Sequence, residues 1–512
     1  MNFTYFLFFI CIIACALIIT NWAAERSSTT FQFYTAAGRL TGIQNGMAIA
    51  GDYISAASFL GIVGAIALNG YDGFLYSLGF LASYLVVLLF VAEPVHHLGK
   101  YSLADVICTR FPSNRTRFII AISSFIISVF YMIPQLVASG LIIRLLLQVD
   151  YSMSVLVIGS LMTVYVVFGG MVATSWVQIV KTILLMSSTF LLSLIVFSYY
   201  NWDIRTLIDH VKVGTPLGDQ FFISGHLLSN PIEMISLYVA LILGTAGLPH
   251  ILIRFYTVKN ATEVRKSVLS ASWIIGFFYL ITLVLGLGVA AVIGYDQLIV
   301  VDSTGNLAAP LLAKALGGDF LLAFIAAVAF TTVVAVVAGL VISASTAFSY
   351  DIYHHIIKKG KTTEKEQLRA AQWSALAIGL ISTLFALGLK NSNVTFLVSL
   401  TFIIAASSNL PVILLTIYWK RFSQTGAIIG LVSGLVASLT LLFLGPHIMH
   451  MENGWILSEP IVHLYNPGII TIPIGFLGAI IGSLLFPDKK QIDFDSFYMK
   501  AQMGMDIRRD NR

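Results

Sequence analysis

Charge is what this sequence lacks. Asp, Glu, Lys and Arg together make up 10% of its 512 residues, against 58% hydrophobic. Ordinary soluble domains carry roughly 25% charged residues, so a water-soluble chain of this length would need far more polar surface than is present. Cysteine is nearly absent as well. The three present, Cys11, Cys15 and Cys108, are an odd number without metal spacing, which excludes a disulfide framework and leaves buried spectator thiols as the expectation. There is no Walker A loop, HExxH helix, GxSxG elbow or CxxC pair, the patterns that bring nucleotide, zinc or nucleophile chemistry. Enzyme therefore ranks last among the function classes, and any pumping must draw on an ion gradient. The net charge of +5 is no signature of a nucleic-acid partner, and the expected surroundings are membrane lipid.

Long apolar runs are what is there. About 20 residues of helix cross a ~30 Å hydrocarbon core, and runs near that length recur about thirteen times: near 4–20, 43–68, 73–92, 118–146, 153–169, 174–198, 233–253, 268–295, 319–349, 370–389, 395–418, 426–445 and 468–486. The expected class is all-α, polytopic membrane protein. The first run has no Lys or Arg before it and no small-x-small cleavage site after it. Its first positive charge is Arg26, so it reads as a retained helix entering from outside.

Cytoplasmic segments carry the excess of Lys and Arg. With the N-terminus outside, Arg144, Arg205, Lys212, Lys314 and Lys390 are external, Lys181 lies within a span, and the other 23 of the 29 are cytoplasmic. The expectation is a multi-pass protein of the cell membrane, N-terminus outside and C-terminus cytoplasmic. Residues 1–487 form one transmembrane domain and 488–512 a short cytoplasmic tail. The basic stretch Lys358, Lys359 and Lys361 acts as a topology determinant. His447, His450 and His463 fall in an outer segment with no defensible metal spacing, which reads as a solvated loop.

Two spans are unusually rich in Gly, Pro and polar residues, and look breakable at residues 51–55 and 247–250. Non-helical backbone at membrane depth must line a cavity or pack against protein. Their places, second and seventh, are five spans apart, as two inverted repeats of five helices require, about 43–198 and 233–418. Broken helices expose N–H groups to an anion and C=O groups to a cation; the alternative is that their small residues simply allow close packing. Asp52 sits mid-span, where a charge costs ~2.5–3.5 kcal/mol on insertion scales, as a coupling group or as a hydrogen bonder at the break. His250 abuts Pro249, as a proton or carboxylate partner or as a cap for freed carbonyls. Lys181 reads as snorkelling to the inner face, and Arg254 as the cytoplasmic end of its helix. In the ninth span, Thr331, Thr332, Ser343, Ser345, Thr346 and Ser349 could ligate a cation or bond back to the i−4 carbonyl.

Several of these segments resemble the sodium:solute symporter family. Tyr165-Val-Val-Phe-Gly169-Gly170, with Trp176 after it, is similar to its Gly-Gly motif. The stretch from Thr416 through Arg421 to Gly426 and Gly430 is similar to its second signature, and Asp351-Ile352-Tyr353 also falls where the family has it. The likeness runs from Phe33 to about residue 440, and Ala50 to Gly61 with Gly244 to Arg254 most resemble the cation/acetate (monocarboxylate) branch. It implies a leucine-transporter-type 5+5 inverted-repeat core, and a symporter taking up acetate or another short monocarboxylate by alternating access. Proline as solute, or an ion channel with the same spans, is the alternative.

The resemblance also implies site residues. The family's cation site, for sodium, maps to Gly51 and Ile54 on the first broken helix and to Thr332, Ala335 and Val336 on the ninth span. The two hydroxyls it would need at 335 and 336 are missing, and the family's Thr-Asp after the Gly-Gly motif is replaced by Val177 and Gln178. Either Thr331 or Thr332 compensates, or a proton is the coupling ion and Asp52 or His250 its carrier. No cofactor or metal beyond that Na⁺ or H⁺ is implied. The substrate pocket maps to Tyr53, Ser55, Ala56, Ala57, Ser58, Pro249 and His250, where small residues suit a small organic anion. Oligomeric state is not legible.

Overall fold

The computed structural model describes residues 40–166, 170–227, 230–389, 392–449, 456–488 and 493–505, with isolated positions at 7, 10, 11, 14, 18, 34 and 35. The described residues are helices and loops, with one isolated bridge between Met449 and Ile456. Among the described residues, nine helices are long and apolar enough to cross a membrane. They are α3 (Tyr71–Leu98), α5 (Asn114–Leu147), α7 (Gly170–Tyr199), α11 (Ala261–Val292), α13 (Ala308–Ile357), α14 (Glu364–Gly388), α15 (Val394–Tyr418), α16 (Gln424–Phe443) and α17 (Gly468–Leu485).

Two further spans are bent pairs. α1 (Gly42–Tyr53) and α2 (Ala57–Asn69) meet at 64°, and α9 (Pro231–Gly247) and α10 (Pro249–Thr257) at 45°. The shorter apolar α6 (Tyr151–Val166) takes the place of the expected fifth span. The expected span 4–20 and the start of the family likeness at residues 33–39 lie almost wholly outside the described residues, as do Gly169, Lys390 and His450. Short helices complete the order: α4 (Leu103–Cys108) between α3 and α5, α8 (Ile204–Gly214) after α7, α12 (Tyr295–Val301) before α13, and α18 (Phe494–Met503) at the end.

Local chemistry sets the boundaries. Thr41 and Gln44 close a capping box on α1, as do Thr363 and Glu366 on α14, satisfying orphan donors at each N-terminus. Gly70, at φ 58°, turns the chain between α2 and α3, a conformation open to glycine without steric cost. Gly317 and Gly318 break α13 before its membrane segment begins, so the span expected at 319–349 starts where the sequence put it.

Each break replaces helix with a few extended residues. Ile54 ends α1 at ψ 82°, and Leu248, at ψ 113°, precedes Pro249 at the first turn of α10. A residue before proline is pushed out of the helical region. The second break therefore follows from sequence alone. α5, α13 and α15 are nearly all buried, whereas α16 and α17 form an outer layer. Large apolar side chains face outward, including Trp273 at 80% exposed and Leu89 at 68%, as a lipid-facing surface requires. Cys108 is buried; Cys11 is on the exposed surface, contrary to the expectation of buried thiols throughout.

Candidate functional site

The first break is held open by one face of α7. Ser175, Gln178, Lys181 and Thr182 recur at helical spacing, which puts them on the same side of the helix. Thr182 donates to Met47 O at 3.1 Å. Gln178 donates through Nε2 to Asp52 and, at 2.7 Å, to Ala335 O. Lys181 donates through Nζ to Gly51 O and, at 2.6 Å, to Ile54 O. Ser175 Oγ accepts from Arg254 Nη1 at 2.7 Å. This approach needs a glycine at 51, where a Cβ would stand 2.7 Å from Thr182 Oγ1 and 2.8 Å from Gln178 O.

Arg254 closes the set by donating from Nε to Asp52. Asp52 is 0% exposed and Arg254 1%, so the pair is wholly buried and joins the two broken spans. Breaking such a pair on one side leaves an uncompensated charge in low dielectric. Arg254 thus lies in the last turn of its helix, as expected, but its side chain turns inward instead of out of the bundle. Lys181, 1% exposed, does not snorkel. Its ammonium lies on the two carbonyls that the family resemblance assigns to a cation, and a sodium ion held there would have to displace it. Ala335 and Val336 bring no side-chain oxygen. Thr331 and Thr332 bond back to Ala327 O and Val328 O, at 3.0 Å each.

The opposite side of the breaks is aromatic. The Tyr53 hydroxyl meets Phe80 O at 2.9 Å, Ser83 Oγ at 3.1 Å and Thr245 Oγ1 at 3.2 Å, so its polar end is spent inside the protein. Ser55 Oγ accepts from Ser58 N at 3.4 Å, and Ser58 Oγ donates to Tyr53 O at 3.2 Å. Ala57 O accepts from Thr395 Oγ1 at 2.9 Å, while Ala56 is fully buried. Asn409 Nδ2 donates to Gly247 O at 2.9 Å, satisfying the carbonyl freed before Pro249.

His250 differs from these neighbours. It is 1% exposed, packs edge-on against Tyr131 at 4.7 Å, and neither ring nitrogen has a hydrogen-bonding partner among the described residues. It caps no carbonyl. One turn beyond Tyr131 on α5, Gln135 is fully buried with both amide atoms unpartnered. α5 packs against both breaks. Buried polar groups are nearly always paired, so each exception calls for a partner such as a bound molecule.

The sequence-expected residues thus divide. Gly51, Asp52, Ile54 and Ala335 gather around the α7 face, and Tyr53, Ser55, Ala56, Ala57, Ser58, Pro249 and His250 belong to the two breaks. The hydroxyls of Thr331 and Thr332 are spent on their own helix. Tyr131 and Gln135 were missed, because nothing in an apolar run says which turn of α5 meets the breaks. Lys181 and Gln178 had a signal, a three-residue spacing of long polar side chains deep in a span.

Two outlying clusters shape the ends of the bundle. Arg110, in the turn after α4, donates to Thr416 O at 2.6 Å, Lys420 O at 2.8 Å, Trp419 O at 2.9 Å and Phe422 O at 3.1 Å. It thereby fastens the second signature segment, where a cation suits a helix C-terminus. Burial brings its guanidinium down to about 10 against the pull of Asp488, so it is charged at neutral pH. At the end expected to face outside, a cavity of about 530 Å³ is lined by Asn69, Tyr76, Thr304, Asn393, His447 and Tyr465. His447 lies 3.9 Å from the Phe396 ring and meets Tyr465 O at 3.0 Å, so it is half-buried in its outer segment, while His463 is exposed. Burial lowers the His447 imidazole to about 4. Among the described residues no His, Cys, Asp or Glu cluster could hold a metal ion.

Residues 33–434 match the family described as "Sodium:solute symporter family". The chain is 54% identical over 509 residues to a Bacillus subtilis (strain 168) protein named "Uncharacterized symporter YwcA", with 99% of each chain covered. It is 42% identical over 497 residues to a "Monocarboxylic acid transporter" of Corynebacterium glutamicum, covering 93% of this chain and 90% of that one. Among solved structures, a Na⁺-coupled sialic acid symporter in a substrate-bound outward-open state superposes with a TM-score of 0.72 at 16% identity, covering 96% of this chain and 100% of that one. That likeness is one of fold.

Proposed function

The chain belongs to the sodium:solute symporter family, and from that premise we propose that it carries a short monocarboxylate, such as acetate, into the cell by cation-driven symport. The observation that carries this reading is the buried, unpartnered His250 at the second break, packed on Tyr131 of α5, with the unpartnered Gln135 amide one turn along that helix. A carboxylate would accept hydrogen bonds there that nothing else among the described residues accepts. The amide end of α2 and the nearby small residues Ala56 and Ala57 favour a small anion over a bulky one.

Charge balance points the same way. Asp52 offsets only one of the two buried cationic side chains beside it, Arg254 and Lys181. A bound carboxylate would offset the other. The cycle would rock one repeat against the other around this midplane site, with solute entering from the cavity at the end expected to face outside. The name of the Corynebacterium relative supports the solute class.

The test is uptake of labelled acetate, pyruvate and proline by proteoliposomes, with sodium and proton gradients imposed separately. Acetate or pyruvate should accumulate above the external concentration and proline should not. Accumulation of proline with acetate ignored would assign the chain to another solute class.

A further inference from the structure

We propose that the Lys181 ammonium takes, as a tethered cation, the position that a sodium ion would take on Gly51 and Ile54, so that the chain binds no sodium there and transports without it. This deepens the symport reading and rests on it for the location of the cation site, not for the identity of the solute.

Three observations converge. First, Lys181 Nζ donates to both carbonyls at the end of α1, the two backbone oxygens of the expected ligand set. An ammonium within hydrogen-bond distance of a carbonyl oxygen leaves no space for a second cation between them. Second, the other half of the set is withdrawn. Positions 335 and 336 are Ala and Val, and Ala335 O already accepts from Gln178 Nε2 at 2.7 Å. Third, the charges are already in surplus, since Arg254 and Lys181 stand against the single carboxylate of Asp52. Adding sodium would put another positive charge into a low-dielectric site where like charges repel strongly.

The two features face each other: the ninth expected span carries Ala335 and Val336 where the resemblance implies hydroxyls, and Lys181 reaches the break from the facing α7, aimed by the same three-residue spacing that places Gln178. A lysine kept only for packing would have no reason to end on the C-terminal carbonyls of a broken helix. A cation does, because those carbonyls carry the negative end of the helix dipole.

The experiment is sodium binding to the purified full-length protein, by ²²Na⁺ equilibrium binding and by the melting temperature in sodium against choline. The wild type should show no saturable sodium binding and no sodium-dependent melting shift. Its uptake should be unchanged within twofold when choline replaces sodium at constant pH. The triple variant Lys181→Ala, Ala335→Ser, Val336→Thr should gain saturable sodium binding and a sodium-dependent rise in melting temperature. A lysine with a purely structural role would give a destabilised variant indifferent to sodium, which overturns the proposal. Saturable sodium binding by the wild type, or uptake that falls tenfold or more in choline, overturns it as well. If the variant does not fold, the wild-type measurements decide alone. Sodium binding needs no transported solute, so a wrong solute assignment leaves this result standing, and a wild type that binds sodium leaves the carboxylate reading intact.

Discussion

At the residue scale, the Asp52–Arg254 pair decides whether the two broken spans stay joined. Both groups are buried without water contact, and removing one partner of a buried pair costs ~3–5 kcal/mol because the other remains charged and unpaired. Arg254→Ala should therefore lower the melting temperature severely. The double variant Asp52→Asn, Arg254→Gln should recover part of that loss, and a double-mutant cycle by thermal melting would measure the coupling. If the single and double variants melt alike, the pair does not hold the breaks. Asp52 was legible because a carboxylate in mid-span is costly to insert. Arg254 was not, since a basic residue near the end of an apolar run looks the same whether it meets headgroups or turns inward. Only the bend at Leu248 brings it back against Asp52.

At the element scale, the interruptions matter more than the helices. Pro249 and the glycines around it announced the second break, and Gly51 to Ser55 the first, within a residue or two of where the backbone leaves helix. What α7 does to them was hidden, because side-chain reach between helices is set by packing rather than by periodicity. The second signature segment has a similar history. Its residues could be recognised as a motif, but the reason for them lies elsewhere in the chain, in the Arg110 guanidinium that collects the carbonyls at the end of α15. Arg110→Ala would take this donor from the buried carbonyls of Thr416 and Phe422, at ~1–3 kcal/mol for each one left unsatisfied. Arg110→Lys keeps the charge but not the planar fork. Melting temperatures should fall in the order wild type, lysine variant, alanine variant. Equal stability of all three would mean that water satisfies the segment.

At the scale of the whole molecule, composition and apolar run length gave the class, and the regular spacing of the runs gave most of the spans. Eleven of the thirteen expected appear as long helices or bent pairs and one as the shorter α6. The repeat logic was readable because it depends only on which spans are broken. The substrate pocket was only half readable. Family correspondence supplies positions on the broken helices, whereas Tyr131 and Gln135 come from a continuous helix whose orientation emerges only when the bundle packs.

The central claim is that a carboxylate binds between the two breaks against His250. Equilibrium binding of labelled acetate to the purified protein tests it most directly, comparing wild type with His250→Ala and with Gln135→Ala. Saturable binding by the wild type, weakened at least tenfold in the His250 variant and also reduced in the Gln135 variant at unchanged melting temperature, is the predicted result. Equal affinity in all three proteins would contradict it.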